Sequence, residues 1–389
     1  MFLFLFTFIS LFIPHEGLAL SEETEAISEK ALLPPTKVHE INLVNDWKFF
    51  PFKLLRPGDP FESGLDVCLP HLWQWQPQSV GFATYRNIVN LPANMRGQKL
   101  ALYMPDVYSS YQIWIDGAQY TGNGLVGSDE KNTQPMWLPK VFSFFPKHDT
   151  VEIVIQVSNF HHSKGGIGKM IVLGEDTKTV EKAKHAVKLG ELLFFGLLFI
   201  AFINLRYYIK KRHKAFLYFF LLCLAWAIRT IFSNVYVGVL TFETLDWNWV
   251  VRLEYLSLYL STLFGFLVIT ELFPLDFSPF FKWVFSVIAT TFCLTTIATP
   301  PLLFTAYVQI YLAFSTTVLI VILFVLAKAF INDRVGATPI IVSVLLGVVL
   351  FAYVILSYQY IVTLNEFIYH IGFLALFLLM SASIRSHVM

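Results

Sequence analysis

Residues 215–237 read AFLYFFLLCLAWAIRTIFSNVYV, an apolar run that carries one formal charge, at Arg229. A helix needs about 20 consecutive apolar residues to cross the hydrocarbon core of a bilayer, and this run meets that length. Six more runs of the same kind fill the second half of the sequence. Together they predict seven transmembrane helices, at Leu189–Ile209, Ala215–Val237, Val250–Leu272, Trp283–Thr299, Ala306–Ala327, Thr338–Tyr358 and Phe367–Ile384.

The loops between these runs differ in positive charge. The loop from Arg206 to Lys214 is rich in Lys and Arg, whereas residues 238–249, 300–305 and 359–366 contain neither. Loops that keep Lys and Arg stay in the cytoplasm. We therefore expect a multi-pass protein of the cytoplasmic membrane, with the N-terminal half outside and the C-terminus inside. The same side also carries Lys282, Lys328, Arg334 and Arg385.

The overall composition excludes several classes of protein. Hydrophobic residues make up 56% and charged residues 14%, against roughly 45–50% and 25% in soluble domains. A net charge of +1 without a basic stripe outside the membrane flanks predicts no nucleic-acid partner. Three cysteines argue against a disulfide scaffold and against CxxC metal sites, and we predict neither a metal nor a cofactor.

The N-terminus has the pattern of an export signal. Residues 1–20, MFLFLFTFISLFIPHEGLAL, contain an apolar run too short to span a bilayer, followed by a small-residue cleavage site at Gly17-Leu18-Ala19. The stretch before the apolar run has no Lys or Arg, so an uncleaved anchor stays open as an alternative. Residues 21–40 are polar, contain Pro34-Pro35 and are predicted to be a linker.

Residues 41–175 are predicted to form an exported all-β sandwich. The candidate strands are rich in Tyr, Phe, Ile and Val, and Asp116-Gly117 directly after an apolar strand predicts a hairpin turn. Short strands at this spacing are typical of an antiparallel sandwich. The strands are expected at Phe82–Leu91, Lys99–Met104, Tyr111–Ile115, Val141–Phe145 and Val151–Val157.

The β region shows no catalytic pattern. It lacks GxSxG and HExxH, and His161-His162 are adjacent, so they cannot share one face of an element. We expect that pair in a solvated loop and expect the protein not to be an enzyme. Aromatic side chains line many small-molecule sites, so the ligand-binding candidates are aromatic. They are Trp73, Trp75, Tyr120 and Trp137, with the sandwich core as the alternative location for the tryptophans.

Two features between and within the runs are candidates for coupling. Residues 176–188, DTKTVEKAKHAVK, predict a stiff connector helix, with an ordinary solvated linker helix as the alternative. Ionisable residues inside spans are costly and often functional. Those near the outer ends could form a network beneath the β region, or else snorkel or make structural ion pairs. They are Arg229, Arg252, Glu254, Glu366 and His370.

The ordered motifs resemble a known family. Gly81–Arg86, YQIWIDG at 111–117, Gly122–Gly127 and Val157–Phe160 before Gly165-Gly166 resemble the galactose-binding-like jelly roll of family 2 glycoside hydrolases. They are more similar still to the exported domain of bacterial seven-transmembrane receptors with diverse intracellular signalling modules. The membrane half adds three points of resemblance: FLYFFLLCLAWAIR in the second span, Arg252-x-Glu254, and SASIRSH at the end of the last span.

This resemblance implies a sensory receptor. Its partners would be an extracytoplasmic small molecule or carbohydrate, a cytoplasmic signalling protein and membrane lipid, and the sequence permits a homodimer. In that family the last span continues into an output domain, whereas this sequence ends at Met389. We therefore expect a separate output protein, or a fragment of a longer chain. The alternatives are a transporter or export accessory that captures substrate with its β domain, and a tethered carbohydrate-binding module without signalling.

Overall fold

The computed structural model describes residues 39–73, 79–233, 238, 245–334, 336–358 and 361–389. The predicted signal peptide, most of the predicted linker and Trp75 lie outside the described residues.

The first half is a sandwich of antiparallel sheets. A four-stranded sheet has the order β1-β12-β6-β9, a six-stranded sheet has the order β3-β2-β5-β10-β7-β8, and β4 pairs with β11. The strands are β1 Glu40–Asn42, β2 Trp47–Pro51, β3 Leu65–Val67, β4 His71–Leu72, β5 Gly81–Asn90, β6 Leu100–Met104, β7 Ser110–Ile115, β8 Ala118–Asn123, β9 Lys140–Phe144, β10 Thr150–Asn159, β11 Gly166–Ile167 and β12 Val172–Glu175.

Alternating apolar residues build the core between the two sheets. Ile153, Ile155 and Val157 of β10 point inward and are fully buried, as are Trp47 and Tyr85 of neighbouring strands. All five predicted strands are present, with ends within two residues of those expected. The predicted hairpin is confirmed as well: β7 and β8 pair on either side of Asp116-Gly117, whose φ angles are 47° and 79°.

The second half contains seven helices that are long and apolar enough to cross a membrane, within the described residues. The predicted fold class, an all-β sandwich followed by seven transmembrane helices, is therefore confirmed. The helices are α1 Asp176–Lys211, α2 Lys214–Phe232, α3 Trp247–Leu272, α4 Pro279–Ala298, the short α5 Pro301–Ala306, α6 Val308–Ile331, α7 Ala337–Tyr358 and α8 Glu366–Val388.

Helix α1 contains both the predicted connector and the predicted first span. It runs for 36 residues without a break, a length of about 54 Å. Its first turns lie on the four-stranded sheet. There, Lys99 Nζ is 2.8 Å from a carboxylate oxygen of Asp176, and Lys182 Nζ is 2.9 Å from Glu40. The sandwich and the helix bundle are therefore joined by one continuous helix that is anchored on a sheet.

The sandwich and the C-terminus lie at opposite ends of the bundle. Helix α3 begins at Trp247, whose ring centroid is 5.9 Å from that of Trp137 in the sandwich. It ends at Leu272, whose carbonyl oxygen is 3.1 Å from His387 Nε2 near the end of α8. We call these two ends of the bundle the sandwich end and the far end.

Candidate functional site at the sandwich end of the bundle

A loop after β10 forms the tip of the sandwich that meets the helices. Asn159 at the end of β10 fixes its shape. The Asn159 amide nitrogen donates to the carbonyls of Ser79, His162 and Lys164 at 3.0, 2.7 and 3.1 Å. Its side-chain oxygen accepts from the His162 amide at 3.0 Å. A loop tied at this many points keeps one conformation, so it can position the side chains that follow. We call residues 159–164 the docking loop.

The docking loop contacts two helices directly. The Ser163 amide donates to Thr305 Oγ1 of α5 at 3.1 Å. His162 Nδ1 lies 2.9 Å from the Lys164 amide nitrogen and 3.2 Å from the Lys164 carbonyl oxygen, and burial lowers the pKa of His162 to about 3, so the ring is neutral. His162 Nε2 lies 3.3 Å from the Tyr255 hydroxyl of α3, within hydrogen-bond distance.

Aromatic rings surround this hydrogen bond and exclude water from it. The His162 ring stacks on Tyr108 with centroids 4.8 Å apart. It also lies 5.4 Å from Trp137, which in turn packs on Trp247 at the start of α3. Trp137 and Trp247 are only 3% and 7% exposed. We call Tyr108, Trp137, His162, Trp247 and Tyr255 the docking cluster, and it joins side chains of the sandwich and of α3 in one apolar contact.

Charged groups flank the docking cluster. Lys164 is partly buried, and burial lowers its pKa, while the charge of Glu254 opposes that shift. Lys169 Nζ is 2.5 Å from Asp106, a carboxylate with 5% of its side chain exposed. The Glu254 carboxylate is acted on electrostatically by Arg229 and, more weakly, by Lys169 and Lys164 of the sandwich. One of its oxygens is shielded from solvent and accepts no hydrogen bond from the described residues.

The two arginines of the predicted network bind backbone carbonyls instead of carboxylates. Arg229 Nη1 donates to the Glu254 carbonyl at 3.3 Å. Arg252 Nη1 donates to the carbonyls of Thr296 and Thr299, at 3.0 and 3.1 Å, at the end of α4. Arg252 and Glu254 are two positions apart on one helix, so they do not face each other. Arg252 therefore fastens α3 to α4, and Glu254 alone faces the sandwich.

The start of α8 carries the remaining predicted coupling residues. Glu366 Oε2 is 3.5 Å from His370 Nδ1, and His370 is 2% exposed. The same Nδ1 is 2.7 Å from the Glu366 carbonyl. Lys169 and Lys182 act electrostatically on Glu366. The charge of Lys169 therefore reaches carboxylates on both α3 and α8, and the structure brings Arg229, Glu254 and Glu366 to one end of the bundle.

The aromatic ligand candidates differ in accessibility. Trp73 is 2% exposed in the sandwich core, where its Nε1–H donates to the Tyr85 hydroxyl at 2.9 Å. Trp137 lies in the docking cluster. Tyr120 on β8 is 40% exposed and packs against Phe142, with centroids 5.9 Å apart. Of the candidates that the structure describes, Tyr120 offers the open face, and the role of all of them in ligand binding stays a prediction.

One residue of the docking cluster lies in a different environment from the one expected, and others carry no clear signal in the sequence. His162 was expected in a solvated loop, but it is fully buried. The expectation failed because the helices, which are distant in sequence, cover the loop. Lys164, Lys169, Tyr108 and Trp247 were not predicted at all. The nearest signal in the sequence was the pair His161-His162 close to Lys164. Aromatic and charged side chains that lie against an apolar bundle need hydrogen-bond or ionic partners there.

Comparisons with known proteins match parts of the chain and not its whole length. A family model described as 7TM diverse intracellular signalling matches residues 188–385, the region of the helices. No curated protein gives a significant match to the chain. Many solved structures do, among them glycoside hydrolases and β-glucuronidases.

Three of these structures show how limited the similarity is. A family 2 glycosyl hydrolase from Bacteroides cellulosilyticus DSM 14838 has 14% identity and a TM-score of 0.29, over 35% of this chain and 20% of that chain. A β-glucuronidase from Bacteroides uniformis has 17% identity and a TM-score of 0.28, over 34% of this chain and 17% of that chain. A β-glucuronidase from an uncultured Clostridium sp. has 16% identity and a TM-score of 0.28, over 37% of this chain and 30% of that chain. The chain spans less than a third of the length of each.

Proposed function

We propose that this chain, which belongs to the 7TM diverse intracellular signalling family, is a sensory receptor of the bacterial cytoplasmic membrane. In this proposal the sandwich lies outside the membrane and binds a carbohydrate or another small molecule. The helices relay the resulting change to a signalling protein in the cytoplasm.

The observation that carries this proposal is the double attachment of the sandwich to the bundle. Helix α1 is fixed on the four-stranded sheet and runs on through the membrane. At a second place the docking loop holds α3 and α5 through Tyr255 and Thr305. A tethered binding module needs one flexible link only, whereas a receptor needs contacts that move with the binding domain.

Ligand binding would act on this junction if the ligand has a higher affinity for one position of the sandwich than for another. A ligand shifts an equilibrium only as far as it binds one conformation better than the other. The docking cluster and the Lys164, Lys169 and Glu254 charges would differ between two positions of the sandwich. These contacts are then the element on which the ligand acts.

Our first prediction concerns orientation. Alkaline phosphatase, which works only after export, is expected to be inactive when fused at Lys211 and active when fused at Thr244. The reason is that Lys210, Lys211 and Arg212 form a basic segment at the end of α1, and such a segment stays in the cytoplasm. A cytoplasmic reporter such as β-galactosidase at the same positions should give the reverse pattern. Phosphatase activity at position 211 would contradict the proposed orientation.

Our second prediction concerns the ligand. A panel of mono- and oligosaccharides is screened for a rise in the melting temperature of the full chain in detergent. At a hundredfold excess over its dissociation constant, a ligand stabilises by about 2.7 kcal/mol. We expect at least one sugar to do this, and we expect Tyr120→Ala to remove its effect.

A matched control separates binding from a general effect on stability. Phe145 is 66% exposed, so Phe145→Ala removes an exposed aromatic ring just as Tyr120→Ala does. It should leave the sugar response unchanged. If no sugar stabilises the wild type, the carbohydrate assignment is wrong. If both variants respond as the wild type does, Tyr120 is not part of the site.

A further inference from the structure

Helix α1 is one of the two helices against which the last span is mainly packed. Helix α8 packs mainly against α1 and α7, with smaller contacts to α2 and α3. Helix α1 is also the helix that starts on the four-stranded sheet of the sandwich. A displacement of the sandwich is therefore passed to α8 by one continuous helix, without an intervening loop.

Close packing joins α1 and α8 midway along the apolar part of α1. Gly196 of α1 lies against Leu374 of α8, so that a Cβ atom at position 196 would come within 2.6 Å of Leu374 Cδ1. The rings of Trp226 and Phe373 stack nearby with centroids 5.1 Å apart. This part of α8 interdigitates with its neighbours, so it has one favoured position.

Closer to the far end, the contact between α1 and α8 is polar. Asn204 of α1 is fully buried, and its amide nitrogen donates to Ser381 Oγ of α8 at 2.8 Å and to the Ile200 carbonyl at 2.8 Å. Its amide oxygen accepts no hydrogen bond from the described residues. An unpaired polar atom inside a bilayer is unfavourable. A different position of α8 could therefore supply the donor that the Asn204 amide oxygen lacks here.

The rest of this segment of α8 is polar on its inward face as well. Ser383 Oγ is 3.1 Å from Ser343 Oγ of α7, and its acceptors in reach are the Leu379 carbonyl of its own helix at 2.8 Å and the Pro339 carbonyl of α7 at 3.1 Å. His387 Nε2 lies 3.1 Å from the Leu272 carbonyl of α3. Hydroxyl groups rotate to find new acceptors, whereas interdigitated rings cannot. The last two turns of α8 are thus held by contacts that can be exchanged.

We propose that the Asn204–Ser381 hydrogen bond is a latch that holds the far end of α8 in its resting position, and that a displacement of α1 opens it. The proposal rests on the proposed receptor function, because the displacement would come from the sandwich. The last two turns of α8 are the part that moves. They move about the close contact between Gly196 and Leu374, which stays in place.

The latch is tested by the distance between spin labels on α1 and α8. Lys210 and Ser386 are exposed, and they are replaced by labelled cysteines in a Cys68→Ser background, because Cys223 and Cys293 are buried. Pulsed electron paramagnetic resonance is recorded on the full chain in nanodiscs without ligand. We expect one narrow distance in the resting protein. In Asn204→Leu we expect a second distance, shifted by ~2 Å or more, as for other helix shifts.

Two further variants make the result decisive. Ser381→Ala removes only the acceptor of the latch and should also produce the second distance, even if Asn204→Leu fails to fold. Ser261→Ala removes an equally buried hydroxyl, which donates to Ser257 of its own helix, and it should keep the single distance. If Ser381→Ala gives the resting distance alone, the latch does not hold α8. Because no ligand is present, that result leaves the receptor proposal standing, and a missing sugar response would leave the latch standing.

Discussion

Replacing Trp137 by alanine should detach the docking loop from the helices while both halves stay folded. Trp137 is 3% exposed and lies between His162 of the loop and Trp247 of α3. Removing a buried tryptophan side chain costs about 3–5 kcal/mol. Trp137 belongs to a buried cluster shared with α3 and not to the core between the sheets. The loss should therefore fall on the junction.

The Ser163 amide reports this loss directly. It donates to Thr305 Oγ1 across the junction, so its hydrogen exchange measures how often the junction opens. A loss of 3–5 kcal/mol corresponds to exchange faster by roughly a hundredfold to several thousandfold. Amides in the centre of β10, such as that of Ile155, should exchange as in the wild type, because the sandwich core is untouched.

A second tryptophan of α3 supplies the control. Trp249 is 57% exposed, and Trp249→Ala should leave exchange at Ser163 unchanged. If Trp137→Ala also leaves it unchanged, the docking cluster does not hold the sandwich, and α1 is the attachment on which the receptor proposal must rely.

The parts of the fold that follow from local patterns were predictable from the sequence. Seven apolar runs gave seven helices, because hydrocarbon requires every backbone group to be paired within a helix. The Asp116-Gly117 turn was predictable because its backbone needs two positive φ angles. The continuity of α1 was predictable as well. The drop in charge after Lys188 marks the membrane surface, and no proline interrupts the helix there.

The candidate site depended on contacts that a sequence pattern does not contain. An aromatic residue such as Trp137 is apolar enough for a core and amphipathic enough for a binding face, and only its neighbours decide between them. For Arg252 the sequence left open a network with the glutamates, a structural ion pair, or snorkelling to the interface. Helix ends also present unpaired carbonyls, and the end of α4 meets Arg252 in three dimensions. The charge could be read from the sequence, but its partner could not.

Arg252→Ala and Glu254→Gln should therefore have different effects, although both charges lie on α3. Without Arg252 the carbonyls of Thr296 and Thr299 lose their donor. Hydrogen bonds to a charged group contribute about 1.5–3 kcal/mol each, and the two bonds share one nitrogen. We expect the free energy of unfolding to fall by about 3 kcal/mol, seen as a loss of several degrees in the melting temperature of the full chain. Arg252→Lys, which keeps the charge and can still donate to one carbonyl, should recover part of it.

Glu254→Gln should leave the melting temperature nearly unchanged, because the carboxylate already has one shielded oxygen without a hydrogen bond. The substitution removes the negative charge that acts on Arg229, Lys169 and Lys164, so the sandwich loses an attraction to α3 and exchange at Ser163 should become faster. In a receptor this variant should also alter the response to ligand, whereas the affinity of the sandwich for that ligand should stay the same. Wild-type exchange at Ser163 in Glu254→Gln would show that the apolar docking cluster alone holds the junction. Glu254 would then only stabilise the bundle, because a charge that couples the sandwich to the helices must act on the contact between them. Arg252 does not act on that contact, since its hydrogen bonds run from α3 to the end of α4.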